Sequence, residues 1–538
     1  MRTAVLAVVG ITMSLAVAGP TCLAKVDLHE GQSGRDLAST GLSVVKEFDT
    51  YCLVLASREE LDRDGLSFQL LAEQPGDRLF VFVTPLRDRE LPDLSSAGRV
   101  LLLDRNGALL ETDETLVLEL ERFLVHYSRL GTEPWVYGDE VPPPEPHSVS
   151  DSLVWALVNR VSDDSMLAHI RRLQSFRTRY STRDSCFRAV EWVRSKFIGY
   201  ACDSTGLENW RSGYAPNVIG AKFGRTNRRP IYVICGHTDA VVQSGGYDFC
   251  PGSDDNGSGT ASVLEACRVF ADIEFANTVY FIGFTGEEQG LWGSDSFCSR
   301  AWRRGDSIKA ALNFDMISYG REGRDSLEVL GKTSNPACAW LVDAYIANGD
   351  TFAGLETHRV LESNPEANSD HYSFLRRGYP ALMGIECDFT PAYHTTGDTI
   401  GTLYYRYCGT NNWPLAARTT RAAVATIAKL AGAYVPSGVA EPARPARPAA
   451  LTGVRPSVGT APFSICLAGT ARPGSALDVY SAAGRLVRTI PACGAGRTAS
   501  ALAWDGCDAN GARLPAGVYL FRLTDREQVS TARAVLVD

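Results

Sequence analysis

The sequence has little of what a nucleic-acid-binding or membrane-spanning protein needs. Its 538 residues carry 53 basic and 62 acidic side chains, and this net charge of −9, without a long basic run, argues against nucleic acid as the main partner. After the amino terminus, no segment has eighteen uninterrupted apolar residues, so no stable membrane span is expected. Hydrophobic residues make up 45% of the chain and charged residues 21%, which excludes global disorder.

The amino terminus indicates export. Arg2 precedes an apolar run from Ala4 to Ala18, and small residues at Ala18 and Ala24 are typical of cleavage sites in signal peptides. We expect a signal peptide at residues 1–24, with cleavage after Ala18 as the second choice. The protein is therefore predicted to be secreted, either to the medium or to the cell surface, with the periplasm as an alternative.

Fourteen cysteines agree with an oxidising compartment. Local spacing favours two disulfides, namely Cys186 with Cys202 and Cys466 with Cys493 or Cys507. Cys235 and Cys267 lie on apolar faces instead and are predicted to be buried thiols. Cysteine spacing alone does not determine connectivity.

Two proline-rich stretches divide the chain. Val141–Pro146 is predicted to be a stiff linker, and residues 436–457 form a second one. The resulting blocks are an N-terminal α+β domain at residues 25–147, a central domain at residues 148–435 and a C-terminal all-β domain at residues 458–538. The first block contains no catalytic cluster, and a propeptide and an accessory structural domain are equally consistent with it.

The central block alternates strands with helices. Ile231–Cys235, Val279–Phe284 and Ala310–Phe314 are apolar runs typical of buried strands, whereas Thr260–Ala271 has helical spacing. This alternation predicts an α/β fold with a mostly parallel central sheet and helices on both faces. Ligand sites in such sheets lie beyond the carboxyl ends of the strands.

Polar clusters occur mostly at these strand ends. They are His237 with Asp239, Asp254 with Asp255, Glu287 with Glu288, Asp315, and Tyr393 with His394. Each has an ordinary alternative, such as a structural histidine, a helix cap or a solvated loop residue. Together, however, two histidines and three carboxylates supply the nitrogen and oxygen donors that suit zinc. Five ligands with one bridging would fit two ions about 3.5–4 Å apart.

The motifs resemble those of a known family. The order His-x-Asp, Asp-Asp-x-Gly-Ser-Gly, Gly-Glu-Glu, Asn-x-Asp-Met and Tyr-His-Thr is similar to that of the secreted co-catalytic dizinc aminopeptidases, which include bacterial leucyl aminopeptidases. Glutaminyl cyclases and glutamate carboxypeptidase-like enzymes belong to the same superfamily. The resemblance covers about residues 150–435 and implies a zinc exopeptidase-like fold.

The resemblance also implies roles for individual residues. His237, Glu288, Asp315 and His394 match terminal ligands of two Zn²⁺ ions, Asp255 the bridging ligand, Asp239 the carboxylate that orients His237, Glu287 the general base, and Tyr393 the phenol that polarises the scissile carbonyl. His371 is the competitor of His394 as a ligand, and the flanking motif favours His394. A non-proline cis peptide bond is expected between Asp255 and Asn256. No substrate-binding residue is predicted.

The implied function is hydrolysis of N-terminal residues of peptides by a water that two zinc ions activate, with Glu287 as general base. Carboxypeptidase-like or dipeptidase-like activity and a glutaminyl cyclase of the same superfamily are alternatives. A cell-surface binding protein with an inactive peptidase domain is an alternative of another class. The presence of every ligand and of Glu287 counts against the inactive domain.

The tail resembles a second family. Trp504-Asp505-Gly506, Leu514–Tyr519 and Arg522-Leu523 are similar to the C-terminal Ig-like module of exported bacterial proteins, which is related to flagellar hook-capping domains and type IX sorting tails. The resemblance implies an Ig-like β-sandwich. Contact with export machinery or attachment to the cell surface is one expectation for this module, and an inert spacer is the other.

Overall fold

The protein is described from a computed structural model that covers residues 21–537, except for gaps at residues 64, 77, 86–89, 124, 138–144, 244–246, 321–324, 334, 363–367, 401–411, 437–449, 456, 469–474, 492–500 and 526–527. Residues 1–442 form one compact unit and residues 443–538 a second one. The N-terminal and central blocks therefore belong to the same unit. Much of both predicted linkers lies outside the described residues. Within the described part, no helix is both long enough and apolar enough to cross a membrane.

The N-terminal block contains two antiparallel four-stranded sheets, with strand orders β2-β3-β1-β4 and β6-β7-β5-β8. Its elements are β1 Thr21–Asp27, α1 Gly34–Ser39, β2 Ser43–Glu47, β3 Tyr51–Ser57, α2 Arg58–Arg63, β4 Phe68–Glu73, β5 Leu79–Pro85, β6 Arg99–Asp104, β7 Gly107–Thr112, a 3₁₀ helix Leu116–Arg122 and β8 Val125–Arg129. The predicted α+β character of this block is confirmed.

Strand β1 contains Ala24, the first predicted cleavage site of the signal peptide. Leu23 and Ala24 are fully buried, and they pair with β3 on one side and with β4 on the other. Cleavage after Ala24 would remove four of the seven residues of this central strand. A boundary at residue 24 would therefore disrupt this strand, and Ala18, the second choice, lies outside the described residues. The signal peptide itself lies almost wholly outside the described residues and stays a prediction.

The central block is built on an eight-stranded sheet with the order β16-β15-β17-β14-β11-β13-β10-β9. Its elements are α3 Asp151–Val158, α4 Asp163–Gln174, α5 Asp184–Gly199, β9 Ser204–Glu208, β10 Asn217–Lys222, β11 Asn227–His237, α6 Gly257–Val269, β12 Glu274–Phe275, β13 Asn277–Phe284, α7 Trp292–Arg304, β14 Ser307–Phe314, β15 Ser326–Lys332, α8 Pro336–Asn348, a π-helical turn Gly349–Ala353, β16 Glu356–Glu362, α9 His371–Arg376, β17 Ala381–Glu386, α10 Trp413–Ala431 and β18 Ala433–Tyr434.

The centre of this sheet is parallel and its flanks contain antiparallel pairs. β11 pairs in parallel with β13 and β14, and β14 pairs in parallel with β17. By contrast, β10 runs antiparallel to β13, and β15 runs antiparallel to β17. The predicted mostly parallel sheet is thus confirmed. Because β13, β11 and β14 are parallel neighbours, their carboxyl ends open on the same edge of the sheet.

Both faces of the sheet are covered by helices, which explains the continuous apolar runs. Tyr232 and Ile234 of β11 join the core formed with α6 and α10, while Val233 and Cys235 join a second core with α7 and α9. Successive side chains of a strand point to opposite faces, so a strand between two layers of helices needs apolar residues at every position.

One predicted disulfide is wrong. Cys186 is fully buried on α5, where burial raises the pKa of its thiol, and neither it nor Cys202 forms a disulfide. The Cys202 Sγ atom instead lies 3.5 Å from Sγ of Cys267 on α6. Cys235 and Cys267 are buried, as predicted. The side chain of Cys466 and the whole of Cys493 lie outside the described residues, so the second pairing stays a prediction.

The C-terminal unit consists of two small sheets, with strand orders β19-β21-β24 and β20-β26-β25-β22-β23. The strands are β19 Ala450–Arg455, β20 Val458–Gly459, β21 Phe463–Ala468, β22 Ala476–Ser481, β23 Leu486–Pro491, β24 Ala501–Trp504, β25 Gly517–Asp525 and β26 Gln528–Leu536. Trp504 is 1% exposed, and its ring contacts those of Phe463, Tyr519 and Phe521. The predicted all-β domain is confirmed.

Candidate metal centre

The predicted ligands come from neighbouring strand ends and two loops. His237 is the last residue of β11, Asp315 directly follows β14, and Glu288 lies in the loop after β13. Asp255 lies just before α6, and His394 lies in the loop after β17. The parallel order β13-β11-β14 brings the first three together at one edge, and the two loops close over them.

Asp255 lies between the two histidines. Its Oδ1 atom is 3.2 Å from Nε2 of His237, and its Oδ2 atom is 3.1 Å from Nε2 of His394. Asp315 Oδ1 lies 3.2 Å from Nε2 of His237, and Glu288 Oε2 lies 2.9 Å from Nε2 of His394. The cluster thus has one half with His237 and Asp315 and another with His394 and Glu288, and both halves share Asp255.

These side chains are shielded from solvent and rich in negative charge. The five side chains are only 1–10% exposed. Burial, together with neighbouring carboxylates, raises the pKa of Glu288 to about 7 and that of Glu287 well above its ordinary value. Carboxylates packed this closely need a cation among them to remain ionised together.

The donor atoms fit a divalent cation. The ligand atoms of His237, Asp255 and Glu288 lie within 4.8 Å of one another, and so do those of His237, Glu287 and Asp315. Imidazole nitrogen and carboxylate oxygen are the donors that zinc takes in catalytic sites. The residues present therefore suit the metal that the motifs predict.

Glu287 occupies a different position from its neighbour Glu288. Its Oε2 atom lies 3.8 Å from Nε2 of His237, a longer separation than those of the predicted ligands, and its side chain is 11% exposed. It faces the half of the cluster that contains Asp315. A carboxylate there, beside the ligands and lining the cavity, is within reach of a water bound in the site.

Asp239 supports the cluster in a way that the sequence did not reveal. Its Oδ2 atom accepts hydrogen bonds from Ser181 Oγ at 2.9 Å and from the backbone N–H groups of Gly286 at 3.0 Å and Glu288 at 3.3 Å. Its Oδ1 atom faces Nδ1 of His237 at 3.6 Å, which is too long for a hydrogen bond. Asp239 therefore fixes the loop of the two glutamates and faces His237 without bonding it.

Two further residues position ligands and were not predicted. Ser369 Oγ donates a hydrogen bond of 2.6 Å to Oδ2 of Asp315. Asp398 accepts the backbone N–H groups of Asp254 at 2.9 Å and Asp255 at 3.0 Å. Ser369 lies two residues before His371 and Asp398 four residues after His394, but the partners of both are distant in sequence.

Arg179 is the third residue that sequence reasoning missed. Its guanidinium is fully buried and donates to the carbonyl oxygens of Thr238 at 2.7 Å, Pro251 at 2.6 Å and Gly252 at 2.6 Å. It joins the backbone after β11 to the backbone before Asp255. Its partners are main-chain carbonyl groups about sixty or more residues away, so no local sequence pattern identifies it.

His394, and not His371, joins the cluster. His371 begins α9, is fully buried, and neither of its ring nitrogens has a hydrogen-bond partner among the described residues. Burial lowers the pKa of its imidazole to about 3. His394 has a φ of 53°, in the left-handed region that residues other than glycine rarely adopt, so its loop is held by its surroundings.

Tyr393 is buried beside the cluster. Its ring stacks on that of His394 with centroids 3.6 Å apart and contacts the ring of Phe389 at 4.8 Å. Burial, together with the negative charge of Asp255, raises the pKa of its phenol well above the ordinary value, so the hydroxyl stays protonated and can donate a hydrogen bond. The predicted cis peptide bond between Asp255 and Asn256 is present.

A cavity of about 380 Å³ opens at the cluster. It is lined by the predicted ligands, Glu287 and Tyr393, by apolar side chains that include Met316, Met383, Ile385 and Phe389, and by residues of the N-terminal block that include Pro85, Phe123 and His126. The cavity has the size of a small-molecule or amino-acid pocket, for which about 300–1,000 Å³ is usual.

Comparison with known proteins agrees with this geometry. Residues 217–417 match the model of peptidase family M28. Leucine aminopeptidase 1 of Coccidioides posadasii is 30% identical over 271 residues, which are 46% of this chain and 68% of that relative. The chain belongs to peptidase family M28. A probable leucine aminopeptidase of Arthroderma otae is 27% identical to this M28 peptidase over 263 residues, 46% of the chain and 70% of the relative.

Solved structures share the fold of this M28 peptidase. The LapA aminopeptidase of Legionella pneumophila superposes with a TM-score of 0.52 at 19% identity, covering 66% of this chain and 98% of that one. LapB of the same organism gives a TM-score of 0.50 at 16% identity, covering 76% and 99%. Residues 452–528 match the FlgD Ig-like domain model. Both predicted family resemblances are therefore confirmed.

All predicted ligands, Glu287 and Tyr393 lie inside the segment that matches the M28 model. The N-terminal residues that line the cavity lie outside it. This M28 peptidase thus combines the site of its family with a wall that the family model does not include.

Proposed function

We propose that this M28 peptidase is a zinc-dependent aminopeptidase that removes N-terminal residues from peptides. The observation that carries the proposal is Asp255, whose two oxygens contact His237 on one side and His394 on the other. The similarity to leucine aminopeptidases at 30% identity supports the same activity.

Two zinc ions fit the division of the cluster into halves. His237 and Asp315 would hold one ion, His394 and Glu288 the other, and Asp255 would be shared. Bound there, zinc would supply Lewis acidity to the substrate carbonyl and to water. Two divalent ions would also offset the charge of the four carboxylates Asp255, Glu287, Glu288 and Asp315.

The chain's own residues would carry the proton transfers. Glu287 lies beside the predicted ligands and lines the cavity, so its carboxylate would accept the proton of the attacking water and return it to the departing amine. Tyr393, protonated in its buried position, would donate a hydrogen bond to the oxyanion that develops on the scissile carbonyl.

The charge of the cavity favours a free amino terminus over a free carboxyl terminus. Among the described residues that line it, none is arginine or lysine, whereas Glu328 and Glu362 are further acidic side chains. A substrate ammonium group would be attracted there, whereas the described part of the lining offers no arginine or lysine to a C-terminal carboxylate. This observation supports an aminopeptidase over a carboxypeptidase.

Metal analysis and a substrate panel test the proposal. We expect two zinc ions per chain, release of N-terminal residues from free peptides and aminoacyl arylamides, and no cleavage of the same peptides after N-acetylation. Cleavage of blocked but not of free amino termini would overturn the aminopeptidase assignment. One zinc ion with cyclisation of N-terminal glutamine would identify a glutaminyl cyclase instead, and no turnover in a zinc-loaded protein would favour the binding protein.

We also propose that the protein is exported, with cleavage after Ala18, and that the C-terminal module serves sorting or surface attachment. The apolar leader and the FlgD Ig-like match support this proposal. Secretion of the full chain should be compared with that of a chain ending at Gly438. Reduced export or reduced surface retention of the shorter chain is expected, and equal behaviour would eliminate the sorting role.

A further inference from the structure

The N-terminal block forms one wall of the catalytic cavity. Pro85 at the end of β5, Phe123 after the 3₁₀ helix and His126 of β8 line the same space as Tyr393 and the predicted metal ligands. A substrate bound at the cluster would therefore contact residues that lie more than a hundred positions earlier in the chain.

His126 brings hydrogen-bonding capacity to this wall. It is half-buried in β8 opposite Thr84 of β5, and its ring centroid lies 6.0 Å from that of Tyr393. No described residue hydrogen-bonds its ring. A neutral imidazole has one donor and one acceptor nitrogen to offer a ligand.

The wall is held in place by hydrogen bonds and ion pairs to the central block. Gln243 Nε2 donates to the carbonyl oxygen of Phe123 at 2.7 Å, close to the cavity. Lys332 pairs with Glu47 at 3.3 Å, and their side chains are only 4% and 11% exposed. Separation of the blocks would leave the charge of Lys332 without this partner, which is unfavourable for a buried group.

Apolar packing fixes the same contact. Trp135 is 5% exposed and belongs to the core that contains Val233 of β11 and Phe374 of α9. Its ring meets that of Tyr372 edge-on at 5.4 Å. Removal of the N-terminal block would therefore open the core of the central domain, which argues against a segment designed for release.

The cavity remains open with the wall in place. Its volume of about 380 Å³ is present although Phe123 and His126 already line it. A segment that blocks the site would fill this space with side chains, whereas a segment that helps to bind substrate would border it. The structure corresponds to the second arrangement.

We propose that His126 is a substrate-binding residue whose imidazole hydrogen-bonds the backbone of the bound peptide, and that the N-terminal block is a permanent part of the active site. This proposal rests on the proposed aminopeptidase function. It places a substrate-binding residue outside the segment that matches the M28 model.

Replacement of His126 tests the proposed contact. His126→Phe keeps an aromatic ring but removes both nitrogens, and we expect KM for a leucine-headed tripeptide to rise about tenfold, as for loss of one hydrogen bond, with kcat within about twofold. His126→Gln keeps a donor and an acceptor and should restore most of the affinity. His29→Phe, at an exposed position of the same block, is the matched control and should leave KM unchanged. An unchanged KM in His126→Phe would overturn the proposal, and a rise in kcat/KM would identify an obstructing wall instead.

A binding measurement separates this proposal from the proposed catalytic function. Affinity of the same tripeptide is measured by calorimetry in zinc-loaded Glu287→Ala chains with and without His126→Phe, after thermal unfolding has verified that both are folded. We expect His126→Phe to raise Kd about tenfold, even if the wild-type chain shows no turnover. Equal Kd values would contradict the role of His126 alone, whereas absence of wild-type turnover would contradict the function alone.

The permanence of the N-terminal block is tested on the secreted protein itself. Intact-mass analysis of the active species should give a chain that retains residues 21–137. An active species that begins near residue 148 would overturn this part of the proposal.

Discussion

Asp398 accepts a hydrogen bond of 3.0 Å from the backbone N–H of Asp255. Its other oxygen accepts the N–H of Asp254 at 2.9 Å. Asp398 follows His394 by four residues, so one carboxylate connects the loop of His394 with the residue that lies between both histidines. The positions of two predicted ligands are therefore coupled through a side chain that contacts neither donor atom.

This coupling predicts the effect of Asp398→Asn. The amide offers one acceptor where two backbone N–H groups need one each, so the Asp255 loop should lose its fixed position. We expect zinc affinity to fall about 10–100-fold, as for other residues that orient ligands, measured by competition with a chelator. Asp350→Asn at an exposed position is the control. Wild-type zinc affinity in Asp398→Asn would contradict the positioning role.

Alanine at the two adjacent glutamate positions should affect different properties of the protein, namely turnover at Glu287 and zinc content at Glu288. Glu287→Ala should abolish turnover and leave zinc content intact, because Glu287 is proposed to move a proton and not to hold metal. Glu288→Ala should lower zinc content, because its carboxylate contacts His394 and faces Asp255. Elemental analysis and peptide hydrolysis measure the two outcomes. Normal turnover of Glu287→Ala would rule out its role as general base.

The substitution Tyr393→Phe removes the phenol hydroxyl and keeps the aromatic ring, so it tests the role of the hydroxyl alone. The ring contacts with His394 and Phe389 are kept, so zinc content and folding should not change. Loss of one oxyanion donor should lower kcat about 100-fold with little effect on KM. Steady-state kinetics with one aminoacyl arylamide is the measurement, and an unchanged kcat would remove Tyr393 from the mechanism.

The burial of His169 predicts that the free energy of unfolding decreases in acid. Burial lowers the pKa of its imidazole to about 4, although Glu265 at 3.8 Å opposes this, whereas the unfolded chain titrates near the ordinary value of 6.5. The unfolded state therefore binds more protons between pH 6.5 and 4, and the free energy of unfolding falls as the pH is lowered through this window, by up to about 3 kcal/mol.

His169→Gln should abolish that part of the pH dependence. Urea unfolding at pH 7, 5.5 and 4 is the measurement, with His29→Gln as the control for an exposed histidine. Compared with the wild type, the His169→Gln chain should lose less stability between pH 6.5 and 4. Parallel profiles for the two variants would show that His169 is not responsible.

The sequence singled out residues that the structure brings together because each of them belongs to a local pattern. His237 and Asp315 directly end apolar strands, and parallel pairing of those strands brings their ends together without any knowledge of the loops. Asp255 and His394 depended on family motifs, since no strand pairing places their loops. The structure then showed which oxygen faces which imidazole, a detail that spacing does not contain.

What the sequence did not predict depends on contacts between distant segments. Ser369 and Asp398 act on partners more than fifty residues away, and His126 reaches the cavity only because one block packs on another. The Cys186–Cys202 prediction failed for the same reason. Closeness in sequence ignores the direction of α5, which turns Cys186 into the core while Cys202 meets Cys267.

The pairing of β1 with β3 and β4 restricts where a recombinant chain produced in another host can begin. Any substitute leader has to join the chain before Thr21, since Leu23 and Ala24 fill the space between β3 and β4. A recombinant chain begun at Lys25 would lack the residues that pair with Val54–Ser57 of β3 and with Leu70–Glu73 of β4, and the exposed edges would be sites for intermolecular pairing and aggregation. Inclusion bodies from such a chain would then reflect the choice of first residue and not a defect of the catalytic domain.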